Sequence, residues 1–215
     1  MGFLNEEEKE YLRKGFRSKL KRKVELLHFT YKDDNSAYLR ETRALLEELS
    51  ELNDLLTLTV KDCYSNKGDL VAEGLELCPS IKIKSDRGGF MNFYGAPAGY
   101  EFGNLVEDII DMGSDNLPLS PDIVDELSKI DKPVDIKVFI TASCPYCGKA
   151  VRTAHLFSLV NGNIRASMVD AHVFPSLAMK YNISSVPHII INDKISFVGA
   201  LPEDKFLSKI KKAIE

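Results

Sequence analysis

The sequence predicts an α/β protein of two similar units, each a central mixed sheet flanked by helices. Three observations lead there. Short apolar runs of strand length alternate with amphipathic stretches of helical period. The same order of runs occurs twice, about 110 residues apart. The composition, 44% hydrophobic and 28% charged over 215 residues, is that of an ordinary globular chain with room for one large domain or two small ones.

The first series opens with a helix over 5–22. Asn5 and Glu8 form a capping-box start, and Leu4, Tyr11, Leu12, Phe16 and Leu20 make one apolar stripe. "VELLHFTY" (24–31) reads as a strand, and 35–52 as a helix with Leu39, Leu45, Leu46 and Leu49 at helical spacing. Strands follow at 55–63, at 79–85, where Ile81 and Ile83 alternate with lysines, and at 89–95. A helix over 101–113 ends on Gly113.

The turn-rich "GSDNLPLSPD" (113–122) separates the series and divides the chain into 1–116 and 117–215. A short helix over 121–130 has Pro121 in its first turn. Then come a strand (134–141), a helix (145–161), a strand (164–172) and a helix (174–182). A hairpin of 187–193 and 194–200 turns at Asn192-Asp193, and a helix over 202–215 follows. Three pairs tie the two series together. Val24 matches Val134 at an offset of 110, Pro79 matches Pro187 at 108, and Gly95 matches Gly199 at 104.

The net charge of −4 is too mild to mark nucleic acid or an anionic membrane as the main partner. The N-terminus shows no signal-peptide pattern, and no apolar run approaches the ~20 residues of a membrane span. A cytoplasmic location is expected. Four cysteines do not make a disulfide scaffold, so a close pair points to catalysis or metal binding.

That pair is Cys144 and Cys147, in "SCPYC" between a strand and a helix. A sulfur at a helix N-terminus meets unpaired N–H groups and the positive end of the helix dipole. Both stabilise a thiolate and lower the thiol pKa. Pro145 suits a first turn. Cys147, three residues on, can resolve a mixed disulfide formed at Cys144. A metal site would need about four ligands. Cys63 and Cys78 are 15 residues apart, His155 lies two turns beyond Cys147, and no His-x₃-His exists. Pro-Tyr is poor core material for a purely structural pair. The reading is redox chemistry, with no metal.

"ITASCPYCGKAV", followed about forty residues later by "VPHIII", resembles the thioredoxin/glutaredoxin superfamily. The Cys-Pro-Tyr-Cys sequence is typical of glutaredoxins. Two such units in one chain resemble the archaeal-type protein disulfide oxidoreductases, or glutaredoxin-like proteins. The resemblance implies two tandem thioredoxin-like units and Cys144-Pro145-Tyr146-Cys147 as the active-site motif. It also implies a cis-Pro187 against the reactive cysteine, with Val186 offering backbone hydrogen bonds to a substrate strand. No cofactor would be bound. The redox-active Cys144–Cys147 disulfide would be reduced from NADPH through a flavin-dependent, thioredoxin-reductase-like enzyme. Partners would be disulfide-containing client proteins, peroxiredoxins among them.

The chain departs from these patterns in two ways. The buried Asp that thioredoxins carry six residues before the first cysteine is Val138 here. Aligning "HFTYKDDNSAYL" on "VFITASCPYCGK" puts Asp34 at Cys144 and Ala37 at Cys147, so the first unit lacks the motif. In that respect it resembles the N-terminal domain of the flavoproteins of alkyl hydroperoxide reductase. The function expected is a thiol–disulfide oxidoreductase acting on protein disulfides. The alternatives are a dedicated electron carrier to a peroxidase and a non-enzymatic client-binding module.

Cys78, directly before Pro79, is a possible secondary thiol, though a small semi-buried residue without redox role is the plainer reading. Cys63 takes that plainer reading too. A bond between them is not expected, because strands on either side of a central one stand ~9.6 Å apart, beyond disulfide reach. His188 is expected to pack rather than react.

Overall fold

The computed structural model describes residues 3–32 and 36–215. The first unit contains α1 (Glu6–Lys19), β1 (Val24–Thr30), α2 (Ala37–Ser50), β2 (Leu56–Asp62), α3 (Lys67–Ala72), β3 (Ser80–Lys84), β4 (Met91–Tyr94) and α4 (Glu101–Gly113). The second contains α5 (Pro121–Ser128), β5 (Val134–Ile140), α6 (Cys147–Val160), β6 (Ile164–Asp170), α7 (Pro175–Lys180), β7 (His188–Ile191), β8 (Ile195–Val198) and α8 (Glu203–Ile214).

The eight strands form one sheet in the order β2-β1-β3-β4-β6-β5-β7-β8. Each unit supplies a parallel pair and an antiparallel hairpin, and the two halves join where β4 pairs with β6 in parallel. Both faces are covered, so β1, β5 and β6 are almost wholly buried. Their polar members His28, Lys137 and Ser167 are buried along with the apolar ones. Successive residues still face opposite sides. Leu26, Val138, Met168 and Ile189 join the larger core under α1, α2, α4, α6 and α8, while Leu27, Phe139, Val169 and Ile190 join the smaller one under α3 and α7.

The two units repeat in their hydrogen bonds as well as their order. The Cys63 N–H donates to the Thr30 carbonyl at 2.9 Å, and the Ala171 N–H to that of Ile140 at 3.0 Å. The Gly95 N–H donates to the Pro79 carbonyl at 3.1 Å, and that of Gly199 to the Pro187 carbonyl at 2.8 Å. The Cys78–Pro79 and Val186–Pro187 peptides are both cis.

Local signals placed most elements. The Asn5–Glu8 capping box forms at α1, and the Ser120 hydroxyl caps α5 ahead of Pro121. Leu12, Phe16 and Leu20 are buried, but Tyr11 is exposed. It sits about 100° around the helix from Leu12 and points away from the stripe. Six residues with one buried side chain, Leu70, make α3, too short for a period to show in sequence. Gly113 does close α4, but for a steric reason. A Cβ there would run into Leu20 and lie 2.9 Å from Val24 Cγ2, and its carbonyl accepts the Lys21 N–H at 2.7 Å.

Candidate active site

β5 delivers its chain to the sheet edge at Ile140, and the Cys144 N–H turns back to the Thr141 carbonyl at 3.0 Å. Cys144 lies outside the helix, two residues ahead of the N-cap Tyr146, and α6 begins at Cys147 rather than at 144 or 145. Pro145 and Tyr146 form the intervening turn. The two sulfurs are bonded, with Cα atoms 5.6 Å apart. Cys147 is fully buried, Cys144 is 9% exposed, and Tyr146 beside them is 72% exposed. Of the two cysteines, Cys144 is the less deeply covered.

Across the site, the carbonyl oxygen of Val186 lies 3.8 Å from Cys144 Sγ. Pro187, next to it, is buried at the head of β7. The tertiary fold thus brings Cys144, Cys147, Val186 and Pro187 together from two loops about forty residues apart in sequence. His188 is buried, with Nε2 2.6 Å from Ser196 Oγ, and burial lowers its pKa.

The first unit reaches this site through α4. Gly148, directly after Cys147, lies so close to α4 that a Cβ there would be 2.6 Å from Asn104 Nδ2. That amide donates to Glu101 Oε2 at 2.6 Å. Glu101 is fully buried, and its Oε1 has no hydrogen-bond partner among the described residues. Burial pushes the Glu101 carboxyl above the usual range; the Asn104 bond and His155 act against this, and Asp108 and Asp170 add to it. Further along the same contact, His155 Nδ1 on α6 meets Asp108 Oδ2 on α4 at 2.6 Å, both groups buried. Arg152 pairs with Asp111 at 2.7 Å.

Glu101 and Asn104 do not stand out in the sequence. An acid in the first turn of a helix is common, and nothing local shows that α4 packs on α6. Val138, where a thioredoxin has its buried acid, is buried between Met168 and Ile189.

The first unit's counterpart of the site differs. Ala37 begins α2 as Cys147 begins α6, and Asp34, aligned with Cys144, lies outside the described residues. Cys63 and Cys78 are bonded to each other, with Cα atoms 6.4 Å apart. This corrects both the reading of Cys78 as a lone thiol and the two-strand separation expected from the sheet. Strand spacing applies only inside the ladder. Cys63 lies just past the end of β2 and Cys78 two residues before β3. Both are beyond the paired stretch of β1, where no strand stands between them. Among the described residues, no group of three or more His, Cys, Asp or Glu could hold a metal ion, and no helix is long and apolar enough to cross a membrane.

The sheet order, the bonded Cys-x-x-Cys at a strand-to-helix turn and the Val186–cis-Pro187 peptide beside it define a protein of thioredoxin fold. The family model of the thioredoxin domain matches residues 134–212. The protein disulfide oxidoreductase of Aeropyrum pernix is 30% identical and superposes with a TM-score of 0.86, over 97% of this chain and 93% of that one. The alkyl hydroperoxide reductase AhpF of Enterococcus faecalis, as its C503A mutant, superposes with a TM-score of 0.87 at 26% identity, over 97% and 99% of the two chains. In sequence, the AhpF-type alkyl hydroperoxide reductase of Pseudomonas aeruginosa is 27% identical over 180 residues, which is 82% of this chain and 32% of that protein. The chain spans about a third of the length of the curated relatives it matches. It belongs to the thioredoxin-fold proteins, homologous to the archaeal protein disulfide oxidoreductase and to the AhpF N-terminal domain.

Proposed function

We propose that this chain is a thiol–disulfide oxidoreductase that reduces protein disulfides by dithiol exchange through Cys144 and Cys147. The observation that carries the reading is the bonded pair, with Cys147 fully buried, Cys144 less deeply covered, and the Val186 carbonyl 3.8 Å from Cys144 Sγ. In the reduced form the Cys144 thiolate attacks a client disulfide. The client S–S bond breaks, and one client sulfur leaves and takes a proton. Cys147 then attacks Cys144 Sγ, and the second client thiol leaves. The client gains two electrons and two protons, and the Cys144–Cys147 disulfide forms. Val186, held in place by the buried Pro187 after it, offers the backbone edge on which an extended client segment lies. A dithiol donor returns the electrons, by resemblance a flavin-dependent enzyme drawing on NADPH. No cofactor needs to be bound to this chain, and its place would be the cytoplasm.

The two units divide at 116/117. The second carries the chemistry. The first supports it through the contact of α4 with α6 and offers a docking surface. The test is insulin reduction by dithiothreitol with wild type, Cys144→Ser and Cys147→Ser. Cys144→Ser is expected to lose the activity, and Cys147→Ser to accumulate a mixed disulfide at Cys144. Full activity in Cys144→Ser would end this reading.

A second reading has specific support, because the curated relatives are components of alkyl hydroperoxide reductase. The chain would then be a dedicated electron carrier to a peroxiredoxin. Fast reduction of a peroxiredoxin disulfide with insulin left untouched selects that reading.

A further inference from the structure

The Cys63–Cys78 disulfide is not part of the Cys-x-x-Cys site, yet its position repeats that site's surroundings. Cys63 and Cys78 stand 108 residues before Ala171 and Val186. The Thr30 and Ile140 hydrogen bonds described above fix Cys63 and Ala171 alike, and Pro79 and Pro187 follow Cys78 and Val186 alike. In the second unit the residue at this place faces the reactive sulfur; in the first unit it is itself a sulfur.

Strand directions put both disulfides on one rim. β1 and β2 are parallel, β3 runs against β1, β4 runs against β3, and β4, β6 and β5 are parallel. The exit of β2, the start of β3 and the exit of β5 therefore share one edge of the sheet. From β1 to β5 there are four strand intervals, roughly 19 Å along the edge. Direct exchange between the two disulfides of one rigid chain is out of reach at that distance.

The two sulfurs differ in access. Cys63 is buried at 8% exposure in the smaller core, whose members include Leu27, Phe29, Leu70 and Leu75, whereas Cys78 is partly open. Tyr31 donates its hydroxyl to the Cys78 carbonyl at 3.2 Å, which fixes the Cys78 backbone. Tyr64, 79% exposed, packs against Tyr31 with ring centroids 5.1 Å apart and presents an aromatic surface beside it.

We infer that Cys63–Cys78 is a second redox site that exchanges with dithiols of other molecules by attack at Cys78. A donor thiolate attacks Cys78 Sγ, the Cys63–Cys78 bond breaks, and Cys63 leaves and is protonated. The donor's second thiol attacks its own sulfur in the mixed disulfide, releasing Cys78 as a thiol and leaving the donor as a disulfide. Two electrons and two protons pass to this chain, and the fully reduced protein holds four electrons rather than two. The inference is independent of the function proposed for Cys144 and Cys147.

The test uses the full chain with Cys144→Ser and Cys147→Ser, which leaves only Cys63 and Cys78. The folded protein is treated with dithiothreitol, quenched, alkylated with N-ethylmaleimide and weighed intact, with circular dichroism run in parallel. The expected result is no alkylated thiol before reduction and two after it, in a protein that keeps its native spectrum and returns to none on reoxidation. A pair that opens only in denaturant, that is already alkylated before reduction, or whose opening unfolds the chain overturns the inference. Adding Cys63→Ser or Cys78→Ser identifies the attacked sulfur. Glutathione disulfide is expected to modify the chain that keeps Cys78 and spare the one that keeps Cys63; the reverse pattern refutes attack at Cys78.

Discussion

Gly148→Ala tests the contact between the first unit and the active-site helix, and its sign should depend on a residue 44 positions away in sequence. In a helix, replacing Gly by Ala stabilises by up to about 1 kcal/mol, and less at the second position of α6. Here the new methyl would sit 2.6 Å from Asn104 Nδ2 and 3.2 Å from its Oδ1. The end of an Asn side chain can usually move aside cheaply. This one donates to Glu101 Oε2 at 2.6 Å, and Glu101 is fully buried. Moving it breaks a bond to an acid worth about 1.5–3 kcal/mol when the acid is ionised and about 1 when it is neutral. Net destabilisation of about 1–2 kcal/mol is expected. With Asn104→Ala already in place the obstacle is gone, and the same Gly148→Ala change should be neutral or stabilising by up to about 1 kcal/mol. Urea unfolding of the four chains, followed by circular dichroism, completes the cycle. An effect of the same sign and size in both backgrounds would refute the role given to Asn104.

Other predictions concern the core. His28 is fully buried, with neither ring nitrogen hydrogen-bonded among the described residues; burial first, and then Arg43, lower its pKa from 6.5 to about 4. The unfolded chain therefore binds a proton between about pH 6.5 and 4 that the folded chain refuses. Its contribution is complete above pH 6.5 and about 3 kcal/mol is lost as pH falls towards 4. His28→Leu should flatten that part of the pH–stability curve in denaturant titrations; parallel curves would refute this. The Phe206 ring on α8 packs against Phe157 and Phe197, with centroids 5.6 and 5.3 Å away. Phe206→Ala should cost about 3–5 kcal/mol, read as a lowered urea midpoint, and a loss below about 1 kcal/mol would show that α8 is not anchored there.

Most of the strands and longer helices are legible in the amino-acid order, because their signals are local. A capping box, an apolar stripe or a buried apolar run depends on neighbours within a few residues. The Cys144–Cys147 pair is legible for the same reason, since both cysteines lie within one short strand-to-helix junction. The repeat shows in matched pairs such as Pro79 with Pro187. The helix α3, with one buried side chain, does not show. Long-range packing settles which distant residues meet. Glu101 and Asn104 acquire a place beside Gly148 because β4 pairs with β6 and α4 is laid on α6. Cys63 and Cys78 can bond because both lie beyond the end of the β1 ladder, where the spacing of strands no longer applies. Neither fact has a local signature, because each rests on where the chain returns after tens of residues.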